Sequence, residues 1–299
     1  MQPVHALLAL AVVFIWGTNF VVIKVGLGDF PPLLFALLRF VFSAIPVLFL
    51  SRPNVEWKWL SAYGVFIGAG QFGLLFVAMR RDISPGLASL LIQMQVFFTM
   101  GLAFVLLKER LRLIVLAGAV IAMAGLAVIG WNLDGSTTPR GVAMVLGAAM
   151  CWAVANLVVK KAMPPSGGGE MQLLSFVAWS SLFAVPPLLV LCLVFEGPAG
   201  DWNALGQAGI AAWMALAWQA IGNTLFGFAA WGWLLSRYDA AVVSPYALLV
   251  PVFGLAASAL LLGEELPAWK LQGATLVLVG IALITVVPLM LRDRLRPPG

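Results

Sequence analysis

The sequence predicts an all-α integral membrane protein with ten transmembrane helices, arranged as two inverted repeats of five helices. Three observations predict it. The 299 residues are 63% hydrophobic and only 10% charged, ten apolar stretches have membrane-spanning length, and the second half repeats motifs of the first. A soluble domain carries about 25% charged residues. A chain this apolar therefore requires a membrane to cover its surface.

The ten apolar stretches follow one another along the whole chain, separated by short polar connectors that hold nearly all the charge. A helix needs ~20 mostly apolar residues to cross about 30 Å of hydrocarbon. Because the stretches are uniformly apolar and do not alternate, a transmembrane β-barrel is excluded. The predicted spans are 4–27, 32–51, 59–79, 86–107, 112–131, 140–162, 171–195, 205–234, 240–262 and 268–291.

The positive charge of the chain predicts its orientation. The net charge is +5, and the isoelectric point is about 9.6. Most of the 17 Lys and Arg residues lie in connectors on the side of the amino terminus. Under the positive-inside rule, this bias predicts a multi-pass protein with both termini in the cytoplasm. No basic patch is interleaved with aromatic residues, so nucleic acid is not expected as a partner.

Three motifs of the first half recur in the second half with matching positions of their main residues. The pairs are FIWGTNFVVIK (14–24) with MCWAVANLVVK (150–160), GQFGLLFVA (70–78) with GNTLFGFAA (222–230), and LLKERL (106–111) with LLGEEL (261–266). The last two pairs are offset by 152 and 155 residues. The chain is therefore an internal duplication.

The repeat unit contains five helices, and this odd number inverts the second copy in the membrane. We predict the first repeat at 1–134 and the second at 135–299. Inverted repeats are common in secondary transporters, whose substrate site lies near the midplane where the halves meet. The near-symmetry of the halves provides two similar conformations, each open to one side, and so a route to alternating access.

The paired Trp…Lys helices and the paired LLKERL and LLGEEL motifs resemble the drug/metabolite transporter superfamily, EamA type. Within it the chain is similar to the bacterial amino-acid exporters of the YddG kind. The resemblance covers essentially the whole chain and implies export of small solutes. One departure is Pro251 in the ninth helix, where the first half has Val96. This leaves open whether the fourth helix bends as the ninth does.

Polar and aromatic side chains within the apolar segments are the candidates for the substrate site. Polar groups in hydrocarbon are costly and tend to face the bundle interior or a wet cavity. The alternative is that the amides only hydrogen-bond neighbouring helices together. Gln93 and Gln95 are two residues apart, and which one faces the cavity stays open. The predicted substrate-binding residues are Trp16, Asn19, Gln71, Gln95, Asn156, Gln219, Asn223 and Tyr246.

Three charged residues are predicted to act in gating or at interfaces. Glu109 and Glu264 lie at helix ends in the two equivalent motifs, where a structural role is favoured over gating. Arg39 lies about 10 Å into the second helix at 1.5 Å per residue. Its long side chain is expected at the outer interface or at the rim of a cavity.

Several catalytic and coupling groups are missing from the sequence. The only histidine is His5, and no acidic residue lies in the middle of a span, where proton relays place one. No metal-ligand spacing and no GxxxxGK[ST] phosphate loop occur. We therefore predict no catalytic residues, no metal, no cofactor and no enzymatic activity.

These features together predict a secondary transporter that exports small organic solutes by alternating access. Amino acids, including aromatic and hydrophobic ones, are the predicted substrates, because amides and aromatic walls can accept varied side chains. The alternatives are an exporter of drugs or other metabolites, or a membrane enzyme acting on lipid-linked substrates. The expected partners are the lipid bilayer and a small-molecule substrate, and the expected state is a monomer or weak homodimer.

Overall fold

The computed structural model describes residues 1–108, 113–132, 137–162, 170–238 and 240–294. This part of the chain is helical apart from short connectors, so the predicted all-α class is confirmed. In order, the helices are α1 (Pro3–Asp29), α2 (Pro32–Ala44), α3 (Trp57–Val65), α4 (Leu74–Arg81), α5 (Pro85–Leu91), α6 (Gln95–Leu107), α7 (Leu113–Trp131), α8 (Pro139–Ala162), α9 (Glu170–Phe195), α10 (Pro198–Gln207), α11 (Ile210–Ala217), α12 (Gly227–Arg237), α13 (Ala240–Val243), α14 (Leu249–Leu262) and α15 (Ala268–Arg294).

Five helices of the described residues are long and apolar enough to cross a membrane, by length and composition. Four shorter apolar helices accompany them, and the number of ten spans stays a prediction. The predicted span 205–234 is wrong at its start, because α10 is a separate helix and α11 begins only at Ile210. The long helices are Pro3–Asp29, Trp57–Arg81, Pro85–Leu106, Pro139–Ala162 and Gln172–Phe195.

Helices α7 and α15 cross at glycines whose arrangement reflects the inverted repeat. A Cβ built at Gly118 would lie 2.6 Å from Gly280 O, and one at Gly125 would lie 2.7 Å from Gly273 O. At the offset of 155 residues, Gly118 is equivalent to Gly273 and Gly125 to Gly280. Each glycine thus contacts the equivalent of the other, as a two-fold axis between antiparallel helices requires. Small residues let membrane helices approach this closely.

The two halves also share their departures from α-helical geometry. A π-helical segment joins α3 to α4 at Phe66–Gly73, and another joins α11 to α12 at Trp218–Phe226. Their first residues are 152 apart, the offset of the sequence repeat. A 3₁₀ segment likewise interrupts the fourth predicted span at Ile92–Met94 and the ninth at Ser244–Leu248. The fourth span is therefore interrupted without the proline of the ninth.

Packing between helices follows the same symmetry. Helix α1 lies against α14, and the equivalent helix α8 lies against α6. Helix α2 packs on α9, its own counterpart. Each of these pairs joins one half to the other. The core of the described residues is consequently shared between the two repeats.

Lys108 provides a test of the repeat at the level of the backbone. It follows α6 with φ 55°, and its equivalent Gly263 follows α14 with φ 66°. A left-handed conformation costs a residue with a Cβ roughly 1–2 kcal/mol, and glycine avoids this cost. We expect Lys108→Gly to stabilise the protein by about 1 kcal/mol in thermal unfolding.

Lys108→Ala is the matched control for this prediction, because it removes the same charge and keeps the strained backbone. It should not raise the unfolding temperature. Equal stabilisation by Gly and Ala would show that the lysine charge, and not the backbone conformation, is what matters.

Candidate functional site

Two predicted amides pair directly across the two halves of the protein. Gln219 Nε2 donates to Asn19 Oδ1 at 2.6 Å, and Asn19 Nδ2 lies 3.4 Å from Gln219 Oε1. Both side chains are buried. Asn19 belongs to α1, and Gln219 belongs to the second π segment. The pair links the first helix of one repeat to the third helix of the other.

Arg39 joins this amide pair from α2. Its Nη1 donates to Gln219 Oε1 at 2.6 Å, and its Nη2 donates to Thr224 Oγ1 at 2.9 Å. The guanidinium carbon lies 3.6 Å from the centroid of the Phe72 ring, a cation–π contact. Arg39 has no exposed surface. Of the two positions predicted for Arg39, the outer interface does not hold because the side chain is fully buried, whereas the side chain does line a small cavity. The predicted gating or interface role of Arg39 stays a prediction.

The π geometry brings the two acceptors of Arg39 together. Gln219 and Thr224 are five residues apart, a spacing that lies on one face of a π-helix but not of an α-helix. Thr224 Oγ1 also donates to Gln219 O at 2.8 Å. At the offset of 152, Thr224 corresponds to Phe72 in the first π segment. Arg39 thus lies between equivalent positions of the two halves, one polar and one aromatic.

Trp16 lies one turn before Asn19 and contacts the same helix as its partner. Its indole Nε1 donates to Asn223 O at 3.2 Å, and its ring lies 5.2 Å from that of Trp231. The side chains of Asn223 and Gln71 are buried. Within the described residues, no hydrogen bond of the Gln71 side chain is found. Trp16 and Asn19 therefore both contact the second π segment, to which Arg39 also binds, whereas no described hydrogen bond joins Gln71 to this group.

A second cluster joins α6 to α8. Asn156 Nδ2 donates to Gln95 Oε1 at 2.8 Å and to Thr99 Oγ1 at 3.2 Å. These side chains are only partly buried. Gln93 instead donates to Ala247 O at 3.3 Å, towards the 3₁₀ segment before α14. The Gln95 side chain therefore hydrogen-bonds the Asn156 side chain, whereas the Gln93 side chain hydrogen-bonds the backbone of the 3₁₀ segment.

Glu264 binds the start of the fourth predicted span. Its Oε2 accepts from Gly86 N at 3.0 Å, its Oε1 accepts from Ser84 Oγ, and Lys270 Nζ lies 3.3 Å from Oε1. The Lys270 and Glu264 side chains are 3% and 8% exposed. Glu264 thus links the two halves through its hydrogen bonds to Ser84 and Gly86, beside a buried ion pair with Lys270 of its own half. Glu109, its predicted counterpart, lies outside the described residues.

Glu196 performs a similar role at the start of α2. Its carboxylate accepts from Leu33 N at 2.7 Å and Leu34 N at 2.8 Å. Burial raises the pKa of Glu196, while these backbone donors oppose the shift. Ligand atoms of Cys192, Glu196 and Asp201 lie within 4.8 Å of one another. Because both Glu196 oxygens already bind a helix terminus, the group is best described as a helix cap.

Sequence reasoning missed two residues of these clusters, one polar and one aromatic. Thr224 was not selected, since its spacing from Gln219 does not fit an α-helical face. Thr99 lies one turn after Gln95 and shares its face, as the spacing in the sequence indicates. The aromatic partner Phe72 had no sequence signal. The predicted roles of Tyr246 and the other site residues stay predictions.

The fold, with apolar helices of membrane-spanning length and polar clusters between them, is that of a multi-pass membrane protein with a duplicated helical domain. The profile of the EamA-like transporter family matches residues 4–131 and again 139–286. The chain belongs to this family. The boundary predicted between 134 and 135 stays a prediction.

Two curated relatives are named "Probable amino-acid metabolite efflux pump". The protein of Salmonella typhimurium is 42% identical and that of Escherichia coli is 40% identical, each over 94% of both chains. A solved crystal structure with 19% identity covers 99% of this chain and 100% of its own, at a TM-score of 0.63. That likeness shows a common fold.

Proposed function

We propose that the protein exports amino acids by alternating access across the bacterial inner membrane, with both termini in the cytoplasm. One observation carries the proposal. Two clusters of uncharged amides, Asn19 with Gln219 and Gln95 with Asn156, lie inside the bundle where helices of different halves meet. Such groups hydrogen-bond ammonium and carboxylate groups alike. The names of the two relatives support amino acids as the substrate class.

The proposal includes transport without enzymatic activity, by a monomer or weak homodimer. Membership of a transporter family supports the first part. Export of drugs or other metabolites is the alternative, and the aromatic surroundings of Trp16 are compatible with it. The substrate panel of the transport experiment therefore decides between the two classes.

The test is efflux from liposomes containing the purified protein. Vesicles are preloaded with labelled amino acids, including leucine and phenylalanine, and release is compared with that from protein-free vesicles. We expect faster, saturable release and counterflow for several amino acids. Release no faster than from protein-free vesicles, across the common amino acids, would exclude amino-acid export. Efflux of a cationic dye under the same conditions would favour the alternative.

Gln95 and Gln93 form a matched pair for assigning the second cluster. We expect Gln95→Leu to lower the initial efflux rate about tenfold, equivalent to one lost hydrogen bond of about 1.4 kcal/mol. Gln93→Leu should lower the unfolding temperature more than the rate, because Gln93 connects α5–α6 to the 3₁₀ segment before α14. Similar effects of both variants on rate would remove the special role of Gln95.

Efflux is also expected to run without obligatory proton exchange. The motivation is that no acidic residue lies in the middle of a predicted span, although intramembrane carboxylates commonly serve proton relays. In liposomes with an imposed pH gradient and no substrate gradient, substrate should only equilibrate. Uphill accumulation that is abolished by a protonophore and by Glu264→Gln would contradict this expectation.

A further inference from the structure

Arg39 is a buried cation whose acceptors are all neutral. Within the described residues its guanidinium binds Gln219 Oε1 and Thr224 Oγ1 and lies on the Phe72 ring, and no carboxylate is within ion-pair distance. Burying a charge without an opposite charge is costly in a membrane protein. Holding α2 against the second π segment would not require a charge. A ligand of opposite charge would explain why an arginine is buried at this position.

The surroundings of Arg39 contain further hydrogen-bonding capacity. Arg39 and Ser180 line a cavity of about 10 Å³, room for about one water molecule. Among the described residues, neither Arg39 Nε nor Ser180 Oγ has a hydrogen-bond partner. Buried polar atoms without partners are uncommon, and each requires an explanation. Aromatic residues supply much of the remaining wall, including Phe40, Phe72 and Phe228.

We propose that Arg39 and Ser180 form the subsite that binds the carboxylate of the transported substrate, an inference that rests on the proposed function. A guanidinium presents several N–H groups in a planar fork that matches the two oxygens of a carboxylate. The Ser180 hydroxyl adds a hydrogen-bond donor from α9, the helix on which α2 packs. The substrate carboxylate would then be the missing counter-ion, present only during transport.

In this structure the N–H groups of Arg39 donate to acceptors of the protein itself, Gln219 Oε1 and Thr224 Oγ1. A cavity of one water is too small for a carboxylate, so binding requires Gln219 Oε1 to leave Nη1. The exchange is favourable because a charged acceptor binds a guanidinium more strongly than an amide does. Gln219 keeps its bond to Asn19. Substrate binding thereby replaces one of the two hydrogen bonds between Arg39 of α2 and the second π segment, and the bond to Thr224 stays.

The experiment measures carboxylate preference on the purified full-length chain in detergent. The probes are L-phenylalanine, 3-phenylpropanoate and L-phenylalaninamide, and calorimetric titration gives their affinities. We expect the wild type to bind both carboxylates about tenfold or more tightly than the amide. Arg39→Gln should bring the three affinities close together. Arg39→Lys, which keeps the charge and loses the fork, should retain part of the preference.

Ser180 and its neighbour Ser181 supply a matched pair of small changes. Ser180→Ala should weaken the two carboxylate probes about threefold to tenfold and leave the amide unchanged. Ser181 lines the same cavity, but its hydroxyl already donates to Val177 O within its own helix at 2.8 Å and is not free to donate to a carboxylate. Ser181→Ala should therefore change no affinity. If Arg39→Gln does not fold, this serine pair decides the question.

The inference is overturned if Arg39→Gln or Ser180→Ala keeps the wild-type preference, or if the wild type binds neither carboxylate. These results are separable from the transport test. Binding of 3-phenylpropanoate that depends on Arg39, without amino-acid efflux, keeps the subsite and rejects the exporter. Efflux of amino acids with unchanged preference in the variants keeps the exporter and rejects the subsite.

Discussion

Gly118→Val is expected to destabilise the protein by about 3 kcal/mol, near the upper end for overpacking. A Cβ at this position would lie 2.6 Å from both Gly280 O and Ile284 Cγ2. The first of these is a backbone atom, which cannot rotate away. The crossing of α7 and α15 must therefore widen along its length. The apparent unfolding temperature in detergent, followed by size-exclusion chromatography after heating, measures the effect.

Gly130→Val is the matched control on the same helix. A Cβ at Gly130 meets nothing within 4 Å, so we expect no loss of stability. An equal decrease in both variants would show that valine weakens α7 itself rather than its contact with α15. No decrease in Gly118→Val would contradict the close crossing, and with it this contact between the halves.

Lys270→Met is expected to destabilise the protein by about 3–5 kcal/mol, the usual cost of breaking a buried ion pair. Lys270 and Glu264 are 3% and 8% exposed, and their charged atoms lie 3.3 Å apart. Removing the ammonium leaves the Glu264 carboxylate buried with only neutral donors, Ser84 Oγ and Gly86 N. Thermal unfolding in detergent measures the change.

A double variant and an exposed pair complete this test. Each single change leaves one buried charge without its partner. The loss of unfolding free energy in the double variant, Lys270→Met with Glu264→Met, should therefore be smaller than the sum of the losses in the two single variants. The Lys58–Glu56 pair is 61% and 67% exposed, so Lys58→Met should have no measurable effect. Additive losses in the double variant would show that Lys270 and Glu264 stabilise the protein independently.

The sequence by itself determined the all-α membrane class, the internal duplication and most of the polar residues of the two clusters. Composition and segment length require a membrane, because water cannot solvate this many apolar residues. The spacing of repeated motifs predicted the duplication, and the glycine crossing of α7 and α15 reflects it. The cost of polar groups in hydrocarbon selected Asn19, Gln219, Gln95 and Asn156, which the structure brings together in two pairs.

Only the tertiary structure decided how these residues meet. Periodicity describes the face of one helix, but it does not identify the neighbour on that face. Asn19 and its partner Gln219 are 200 residues apart along the chain. The position of Arg39 depends on a π segment whose spacing of five residues no α-helical pattern predicts. That the buried Arg39 has no carboxylate partner among the residues the structure describes is visible only from the tertiary structure.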